Sequence, residues 1–368
     1  MNGTGDKRHL RIIGLMSGTS MDGIDAAMIE TDGDQIFGFG PVETISYDAD
    51  FRERLRALAG HPPDGSDATV CIIRHLTLCH ANIIRVLMRR AELKTQDIDL
   101  IGFHGQTVFH APKDGITCQI GDASLLAHET GIDVVSDFRS ADVAAGGEGA
   151  PFAPVYHVAL SRTLERPLAV LNLGGVGNVT WISPDGGAIA FDTGPANALI
   201  DDWVNSRTGQ ACDQGGRLAR AGTVRPDVLK NWLTNSYFDR LVPKSLDRDE
   251  FADLLAGLKG GSTEDGAAML SAFTAETVAR SQDHFPAAPL RWLVTGGGRH
   301  NPVIMAELRA RIGVPVEPVE AVGWDGDTLE AQAFAFLAAR SLFGMPLSYP
   351  QTTGVSKPMP GGQIFKAA

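Results

Sequence analysis

The first residues suited to chemistry form a polar turn between two apolar runs close to the N-terminus. Read in order, the turn and its exit are Gly18, Thr19, Ser20, Met21, Asp22, Gly23, Ile24 and Asp25. Glycines let the backbone approach a ligand closely, and amide groups and hydroxyls donate hydrogen bonds to phosphate oxygens. The carboxylate of Asp22 is the hard oxygen ligand that Mg²⁺ takes, usually through water. We therefore predict a β-hairpin whose tip binds a polyphosphate, with an ordinary Gly/Ser/Asp turn as the alternative.

Asp192 is the second candidate, because it ends an apolar run immediately before a Gly-Pro turn. In open α/β sheets, ligands gather outside the carboxyl ends of the strands. A carboxylate at this place can accept a proton from a nucleophile or hold Mg²⁺. The alternative interpretation is a helix N-cap or an Asx-turn residue, since both also favour a short polar side chain.

Two more glycine-rich stretches have spacings that suit a nucleotide. The first consists of Gly174, Gly175, Gly177 and Asn178. It predicts a second phosphate-binding hairpin, or simply a tight turn. The second consists of Gly296, Gly297 and Gly298, followed by the possible donors Arg299 and His300. Its position between an apolar strand and a helix is typical of a nucleotide contact at a helix N-terminus, although a lone glycine triplet also forms ordinary turns.

The composition is that of a soluble globular enzyme that can bury a large core. The 368 residues suggest two domains, and 43% of them are hydrophobic and 21% charged. The formal net charge of −12 argues against nucleic-acid or anionic-membrane partners. The four cysteines lack CxxC or metal-type spacing, and neither a signal-peptide core nor a bilayer-spanning run is visible. We expect a cytoplasmic protein.

The elements that must position these residues alternate between extended runs and helices. In the first half we predict strands over 11–31 (a hairpin), 35–47, 97–103 and 132–138, and helices over 50–58, 68–93 and 122–130. In the second half we predict a hairpin over 167–182, strands over 188–193 and 292–295, and helices over 197–206, 264–284, 302–312 and 327–343. Thr263 is a possible cap of the helix over 264–284, and the tail from Pro346 is expected to run extended over the surface.

The two glycine hairpins, each opening a βαβ-rich half, predict an internally duplicated α/β protein with a ligand between its halves. We expect residues 1–135 plus 335–368 to form an N-terminal lobe, to which the C-terminal helix returns. Residues 136–334 are expected to form a second lobe with the second hairpin, Asp192 and the glycine triplet.

The order of these motifs resembles the sugar kinase, Hsp70 and actin superfamily. Within it, the stretches GLMSGTSMDGID, HGQT, SDFR, NLGGVGN, FDTGPAN and VTGGGRHN look like the anhydro-N-acetylmuramic acid kinase family, from Ile13 to beyond Glu330. One departure is Ala196, where that family usually has glycine. If the position needs a positive φ, alanine there would cost stability or shift the turn that carries Asp192.

The resemblance implies a two-lobed actin/Hsp70/hexokinase-like ATPase fold, a duplicated ribonuclease H-like architecture with a cleft between the lobes. It implies ATP and Mg²⁺ as cofactors, and hydrolytic opening of 1,6-anhydro-N-acetylmuramic acid with phosphorylation of O6, in peptidoglycan recycling. Asp192 would activate the attacking water. The implied sugar contacts are His104, Gln106, Arg139, Asp192 and Glu330. Arg139 as a solvated surface charge and Glu330 as a helix-dipole partner are the alternatives. A homodimer is also expected, although no residue pattern specifies it.

Two other functions stay open on the residues alone. One is an ordinary sugar or carboxylate kinase of the same superfamily, acting on a free hydroxyl or acid group. The other is a nucleotide-driven switch like Hsp70 or actin, whose output is a change of shape. No appended peptide-binding domain is visible after Phe343, which argues against the switch.

Overall fold

The computed structural model describes residues 9–247 and 250–367, and over these residues the chain divides into two compact units. The first unit runs up to Leu160 and resumes at Thr328, and the second is Ser161–Asp327. The first unit contains β1 (Leu10–Ser17), β2 (Gly23–Thr31), β3 (Ile36–Ser46), α1 (Ala49–Arg56), α2 (Asp67–Arg90), β4 (Leu100–Ala111), β5 (Ile116–Ile120), α3 (Ala123–Thr130), β6 (Val134–Ser136), α4 (Ser140–Ala144) and α5 (Ala153–Leu160). The second contains β7 (Leu168–Leu173), β8 (Val176–Ile182), β9 (Ala188–Pro195), α6 (Asn197–Thr208), α7 (Arg217–Ala221), α8 (Pro226–Trp232), α9 (Asp253–Leu258), α10 (Thr263–Arg280), β10 (Trp292–Thr295), α11 (Pro302–Ile312) and β11 (Val316–Pro318). The chain then returns to the first unit with α12 (Leu329–Leu342) and β12 (Gln363–Phe365).

The two sheets repeat one topology. In the first sheet, β1, β2 and β3 form an antiparallel meander, and β4 and then β6 extend it in parallel from the β1 side. In the second sheet, β7, β8 and β9 form the same meander, and β10 and then β11 extend it in parallel from the β7 side. Each glycine-rich turn thus joins the first two strands of its sheet. This confirms the predicted duplicated α/β fold of the actin, Hsp70 and hexokinase type.

The boundaries of the two units differ from the predicted boundaries of the two lobes. Residues 136–160 and 328–334 were assigned to the second lobe, but they pack in the first unit. The reason is α5, which lies on α12: Tyr156 Oη donates to Gln332 Oε1 at 2.8 Å, and the rings of Tyr156 and Phe336 are 5.6 Å apart. These contacts join residues far apart in the sequence, so local composition does not reveal them.

Helix α12 packs directly on the first sheet, at two glycines of β1 and β4. Gly14 on β1 and Gly102 on β4 face the helix, and a Cβ on either would collide with backbone atoms of Ala331 or Phe334. The glycines therefore let the helix lie unusually close to the strands. Since Glu330 is in the first turn of α12, this packing positions its carboxyl group relative to β1 and β4.

Several predicted element bounds are corrected. The predicted strand over 97–103 runs as β4 through the HGQT stretch and returns as β5, which was not predicted. Ser262, not Thr263, caps α10, because its hydroxyl accepts from the N–H of Asp265 at 3.0 Å. The tail is not simply extended over the surface: Leu347, Thr353 and Val355 are buried, and β12 adds a strand to the first sheet. The four cysteines, all among the described residues, are free.

Helix α2 is long and apolar enough to cross a membrane by length and composition alone, which the sequence analysis did not expect. Its most apolar 18-residue window has a mean hydropathy of 1.4, and 44% of that window is buried inside the protein. Leu76, Ile83, Ile84 and Leu87 are among its fully buried side chains. A core helix of a soluble protein passes the same test, and this packing is why we interpret α2 as one.

Candidate active site

The turn between β1 and β2 is polar at its tip and anchored at its base. Thr19, Ser20 and Asp22 are exposed, and the Ser20 hydroxyl donates to Asp22 Oδ1 at 2.7 Å. Met21 closes the turn through its N–H to the Gly18 carbonyl, and its side chain is buried in an apolar cluster with Phe51 and Leu55. Met21 therefore offers a ligand only its backbone, and so does Ile24, whose side chain is also buried.

Gly18 is not required by the fold of this turn. Its φ lies outside the left-handed region, and a Cβ built on it would come no closer than 3.7 Å to any atom outside its neighbours, the nearest being Ser20 Oγ. Gly23 differs, because a Cβ there would lie 2.6 Å from the Ile45 carbonyl oxygen. Internal packing thus explains Gly23 but not Gly18. A ligand that approaches the backbone closely would explain Gly18.

Gln106, predicted to contact substrate, supports the turn from below. Its side chain is fully buried, Oε1 accepts from the Ser17 hydroxyl at 2.6 Å, and Nε2 donates to the Gly18 carbonyl at 3.1 Å. Tyr47 joins this network through a 2.9 Å contact between its hydroxyl and Ser17 Oγ. Burial is the main reason why the pKa of Tyr47 is raised above its usual range, so the phenol stays neutral. Sequence reasoning missed Tyr47 because it is 30 residues from Ser17.

His104, Arg139 and Glu330 form one electrostatic cluster in the first unit. His104 Nδ1 lies 2.8 Å from the Gly105 carbonyl and so must carry the proton, while Nε2 accepts from Arg139 Nε and Nη2 at 3.2 and 3.0 Å. Burial and then Arg139 hold the pKa of His104 well below its usual value, so the ring is neutral. Arg139 also donates to the Gly149 carbonyl at 2.6 Å. The neutral ring therefore orients the guanidinium, which is not a freely solvated charge.

Glu330 completes this cluster from the first turn of α12. Burial raises the pKa of its carboxyl group, Arg139 partly offsets that shift, and Asp25 adds to it. Asp25 accepts a hydrogen bond from the Thr44 hydroxyl at 2.6 Å. Asp25 of the first hairpin and Arg139 both act on Glu330, and titratable groups perturbed in this way cluster at functional sites.

The second glycine-rich turn, between β7 and β8, packs on the start of α6. The N–H groups of Asn197 and Ala198 donate to the carbonyls of Gly174 and Gly175 at 3.0 and 3.1 Å. A Cβ on Gly174 would come no closer than 3.5 Å to any atom outside its neighbours, so packing does not require this glycine either. Ala196 has φ −129°, outside the left-handed region. The departure from glycine at this position therefore does not force alanine into a left-handed conformation.

Asp192 does not end its strand, as predicted, because β9 continues to Pro195. Asp192 is paired with Asn178 on β8, while the next pair is Gly177 with Gly194, so Thr193 is bulged out of the ladder. The Thr193 hydroxyl donates to the Gly177 carbonyl at 3.1 Å. Bulges are common next to active sites, since they redirect a neighbouring side chain. The paired residues Asp192 and Asn178 therefore lie directly beside the glycine-rich turn.

A segment that sequence reasoning missed holds Asp192, and we call residues 237–246 the strap. Tyr237 Oη donates to the Asp192 carbonyl at 2.6 Å, and the Asp192 N–H donates to the Lys244 carbonyl at 3.0 Å. The Leu246 N–H donates to Asp192 Oδ2 at 2.8 Å. The strap thus holds both the backbone of Asp192 and one of its carboxylate oxygens. No local sequence signal reveals contacts between residues 45 to 54 positions apart.

The glycine triplet forms the third candidate contact, after β10. Gly296 has φ +76° and packs against Leu173, whereas a Cβ on Gly297 would come no closer than 3.8 Å to Asn197 Nδ2. The guanidinium of Arg299, a possible ligand donor in the prediction, donates to Glu320, to Asp327 and to the Gly296 carbonyl. These bonds tie the triplet to the end of the second unit.

The guanidinium of Arg299 is paired with the carboxylates of Glu320 and Asp327. Burial lowers the pKa of Arg299, but the hydrogen bonds to Glu320 and Asp327 outweigh it, so the net pKa is raised. The exposed His300 lies 3.4 Å from Asp327 Oδ1. Arg299 thus holds Gly296 in position from the protein side, while His300 is the residue of this pair that faces solvent.

The sequence matches the family model described as anhydro-N-acetylmuramic acid kinase over residues 10–367. The chain belongs to the anhydro-N-acetylmuramic acid kinase family. An anhydro-N-acetylmuramic acid kinase from Paramagnetospirillum magneticum (strain ATCC 700264 / AMB-1) is 55% identical over 352 residues, covering 95% of this chain and 98% of that protein. One from Rhodospirillum rubrum (strain ATCC 11170) is 54% identical over 358 residues, covering 97% of this chain and 94% of that protein. One from Acidiphilium cryptum (strain JF-5) is 52% identical over 362 residues, covering 97% of this chain and 98% of that protein.

Membership of the anhydro-N-acetylmuramic acid kinase family makes the protein an enzyme of the phosphotransferase class and implies the use of ATP. This confirms the predicted family and enzyme class. Among the described residues no group of three or more His, Cys, Asp or Glu side chains is arranged to hold a metal ion. A site built from one carboxylate, phosphate oxygens and water is nevertheless the usual way of binding Mg²⁺ to a nucleotide. The exposed Asp22 fits that set.

Proposed function

We propose that this kinase uses ATP and water to open 1,6-anhydro-N-acetylmuramic acid and to phosphorylate O6, giving N-acetylmuramic acid 6-phosphate and ADP. The observation that carries the proposal is Asp192, held by the strap and paired with Asn178 beside the glycine-rich turn of the second unit. In the substrate O6 is tied to C1, so no free 6-hydroxyl exists to accept the phosphoryl group. Water must therefore enter the reaction.

Asp192 is the general base in this proposal. As the water oxygen bonds to C1, the C1–O6 bond breaks, and the water proton passes to the carboxylate of Asp192. O6 takes the γ-phosphoryl group as the bond to the β-phosphate breaks, and ADP leaves. A separate acid for O6 is dispensable because the phosphoryl group captures that oxygen. Ordinary glycosidases differ, since they use a pair of carboxyl groups.

In this proposal the phosphates are bound by the two turns that contain a glycine not required by internal packing. Gly18 and Gly174 leave room for a close ligand, and the exposed Thr19 and Ser20 supply hydroxyls. Gly297 offers comparable room on the nucleotide side. Asp22 would hold Mg²⁺ through water, and when bound the ion offsets the charge on the phosphates.

Arg139 and Glu330 are the proposed sugar contacts in the first unit. The neutral His104 orients Arg139, whose charge suits the lactyl carboxylate of a muramic acid. Gln106 supports the phosphate-binding turn through its bonds to Ser17 and Gly18. We place the reaction in peptidoglycan recycling and amino-sugar catabolism in the cytoplasm, and we expect a homodimer, which light scattering would test.

A coupled ADP-release assay tests the substrate. The anhydro sugar and free N-acetylmuramic acid are offered side by side, with a reaction lacking sugar as the control for plain ATP hydrolysis. We expect ADP release to depend on the anhydro sugar, and the product to have the mass of that sugar plus one water and one phosphoryl group. Faster turnover of the free sugar would instead identify an ordinary hydroxyl kinase.

A further inference from the structure

Lys244 lies inside the strap, and its buried ammonium group donates hydrogen bonds to backbone carbonyls of the same segment. The residue is 7% exposed, and Nζ donates to the carbonyls of Tyr237 and Phe238 at 3.2 and 3.4 Å. It also lies 4.6 Å from the centre of the Tyr237 ring and 6.0 Å from that of Phe191. An ammonium group removed from water is costly unless hydrogen bonds and an aromatic face offset the loss. Each of these contacts is to the strap itself or to the residue before Asp192.

These contacts close the strap into a loop. Lys244 Nζ donates to the carbonyl of Tyr237, the first residue of the strap, and the backbone carbonyl of Lys244 accepts from the Asp192 N–H. Tyr237 supplies the hydroxyl that holds the Asp192 carbonyl, and two residues beyond Lys244 the Leu246 N–H holds Oδ2. All the bonds described between the strap and Asp192 therefore converge on the segment that Lys244 ties together.

We propose that Lys244 is a positioning residue for Asp192, whose ammonium group closes the strap so that the carboxylate points at the attacking water. The inference rests on the proposed role of Asp192 as the base. Lys244 does not touch the reacting atoms and acts through Tyr237 and Leu246. A misplacement of a catalytic group by about 1 Å can cost on the order of 10² in rate. Opening the strap should therefore lower kcat and leave substrate binding unchanged.

The charge of Lys244 gives this arrangement a pH limit. Burial, and after it Arg280 and Arg240, lower the pKa of Lys244 to about 8, while Asp239 opposes this shift. His284 also faces the group, and its own pKa is lowered by burial and then by Lys244. Above pH 8 the amine is neutral and its hold on the two carbonyls weakens. We expect kcat to fall as pH rises through about 8.

Lys244→Met tests the inference, because methionine keeps the length of the side chain and removes the charge. We expect kcat to fall about 10-fold to 10²-fold, with the Kd values of Mg-ATP and anhydro sugar unchanged by calorimetry. The alkaline step near pH 8 should disappear from the kcat profile of the variant. Lys230→Met is the matched control, since Lys230 is an exposed lysine on α8 of the same unit.

Tyr237→Phe is the second variant, and it removes only the hydroxyl that holds the Asp192 carbonyl. It should also lower kcat, and the double variant should lose less than the product of the two single losses, because both act through one strap. Should Lys244→Met fail to fold, by circular dichroism and melting, Tyr237→Phe decides alone. Wild-type kcat in a folded Lys244→Met, or in Tyr237→Phe where Lys244→Met does not fold, would overturn the proposal.

Hydrogen exchange separates positioning from catalysis. Peptides covering residues 237–246 should exchange faster in Lys244→Met than in the wild type, with the melting temperature nearly unchanged. Faster exchange with wild-type kcat would overturn the inference. Asp192→Asn is assayed in parallel: if that variant keeps its turnover, the proposed base itself is wrong, whereas an inactive Asp192→Asn beside a fully active Lys244→Met overturns only the role of Lys244.

Discussion

Asp22 and Asp25 lie on the same hairpin, yet the structure gives their carboxylates different surroundings. Asp22 is exposed at the tip and accepts from the Ser20 hydroxyl. Asp25 accepts from the Thr44 hydroxyl and acts on the buried Glu330. An ion that keeps most of its water can reach the first carboxylate more easily than the second. We therefore keep the proposed metal contact at Asp22.

Asp22→Asn should weaken the use of Mg-ATP and leave the fold intact. The amide keeps the shape of the side chain but loses the charge that attracts Mg²⁺. We expect a higher Mg²⁺ concentration for half-maximal activity, with part of the loss restored by excess Mg²⁺. Asp50→Asn, an exposed acid in the first turn of α1, is the control. An unchanged Mg²⁺ requirement would remove Asp22 from the metal site.

At the scale of elements, the sequence predicted best where the signal is local. The bounds of β10 and α11 match the predicted ones, because the β10 run is short and apolar and α11 has local start and stop signals: the Asn301 cap, Pro302 and Gly313. The end of β9 was predicted wrongly because it depends on pairing with β8 and on the bulge at Thr193. The strap was not predicted at all, because its contacts join distant parts of the chain.

For the candidate site, too, local sequence signals predicted some features, and contacts between distant residues determine the others. The residue types of the turns, Asp192, Arg139 and Glu330 were predicted from motifs, and their roles stay predictions. The direction of each side chain was not predictable, since it depends on partners elsewhere. Gln106 points at the hairpin turn, and Arg299 at Glu320 and Asp327. Neither direction follows from the local sequence.

Gly18→Val tests the first turn as a binding element. The structure leaves room for the added side chain near its Cβ and requires no positive φ there, so the fold should survive. Nucleotide affinity should drop at least about 10-fold, because a branched side chain would occupy the space where phosphate approaches. Gly38→Val is the matched control, since Gly38 lies on β3 and a Cβ there would be 3.6 Å from its nearest neighbour. Wild-type affinity for ATP in Gly18→Val would exclude this turn from the site.

At the scale of the whole molecule, buried histidines should make the protein sensitive to acid. Burial lowers the pKa of His80 to about 4 and that of His157 to about 3, both in the first unit. The unfolded chain, with its ordinary histidine pKa near 6.5, binds protons that the folded chain rejects. The contribution to stability is therefore fully present above about pH 6.5 and is lost as pH falls toward 4.

The free energy of unfolding, measured by urea titration between pH 4 and 8, should fall steeply below pH 6.5. His80→Leu should flatten part of that slope, because leucine cannot take up a proton and suits the apolar neighbours of His80. His128→Gln, at an exposed position on α3, is the control and should leave the slope unchanged. An identical slope in His80→Leu and the wild type would show that His80 does not carry the acid sensitivity.

The proposed reaction as a whole depends on Asp192, so its replacement by asparagine is the most direct test. Asparagine keeps the shape of the side chain and can still accept from the Leu246 N–H, but it cannot take a proton. We predict that Asp192→Asn binds Mg-ATP and anhydro sugar with nearly wild-type Kd by calorimetry. Its kcat should be lower by on the order of 10²–10⁴, the usual cost of a general base. Asp185→Asn, an exposed acid between β8 and β9, should keep full activity. If Asp192→Asn instead retains more than about a tenth of the wild-type kcat, Asp192 is not the base, and the proposed mechanism is contradicted.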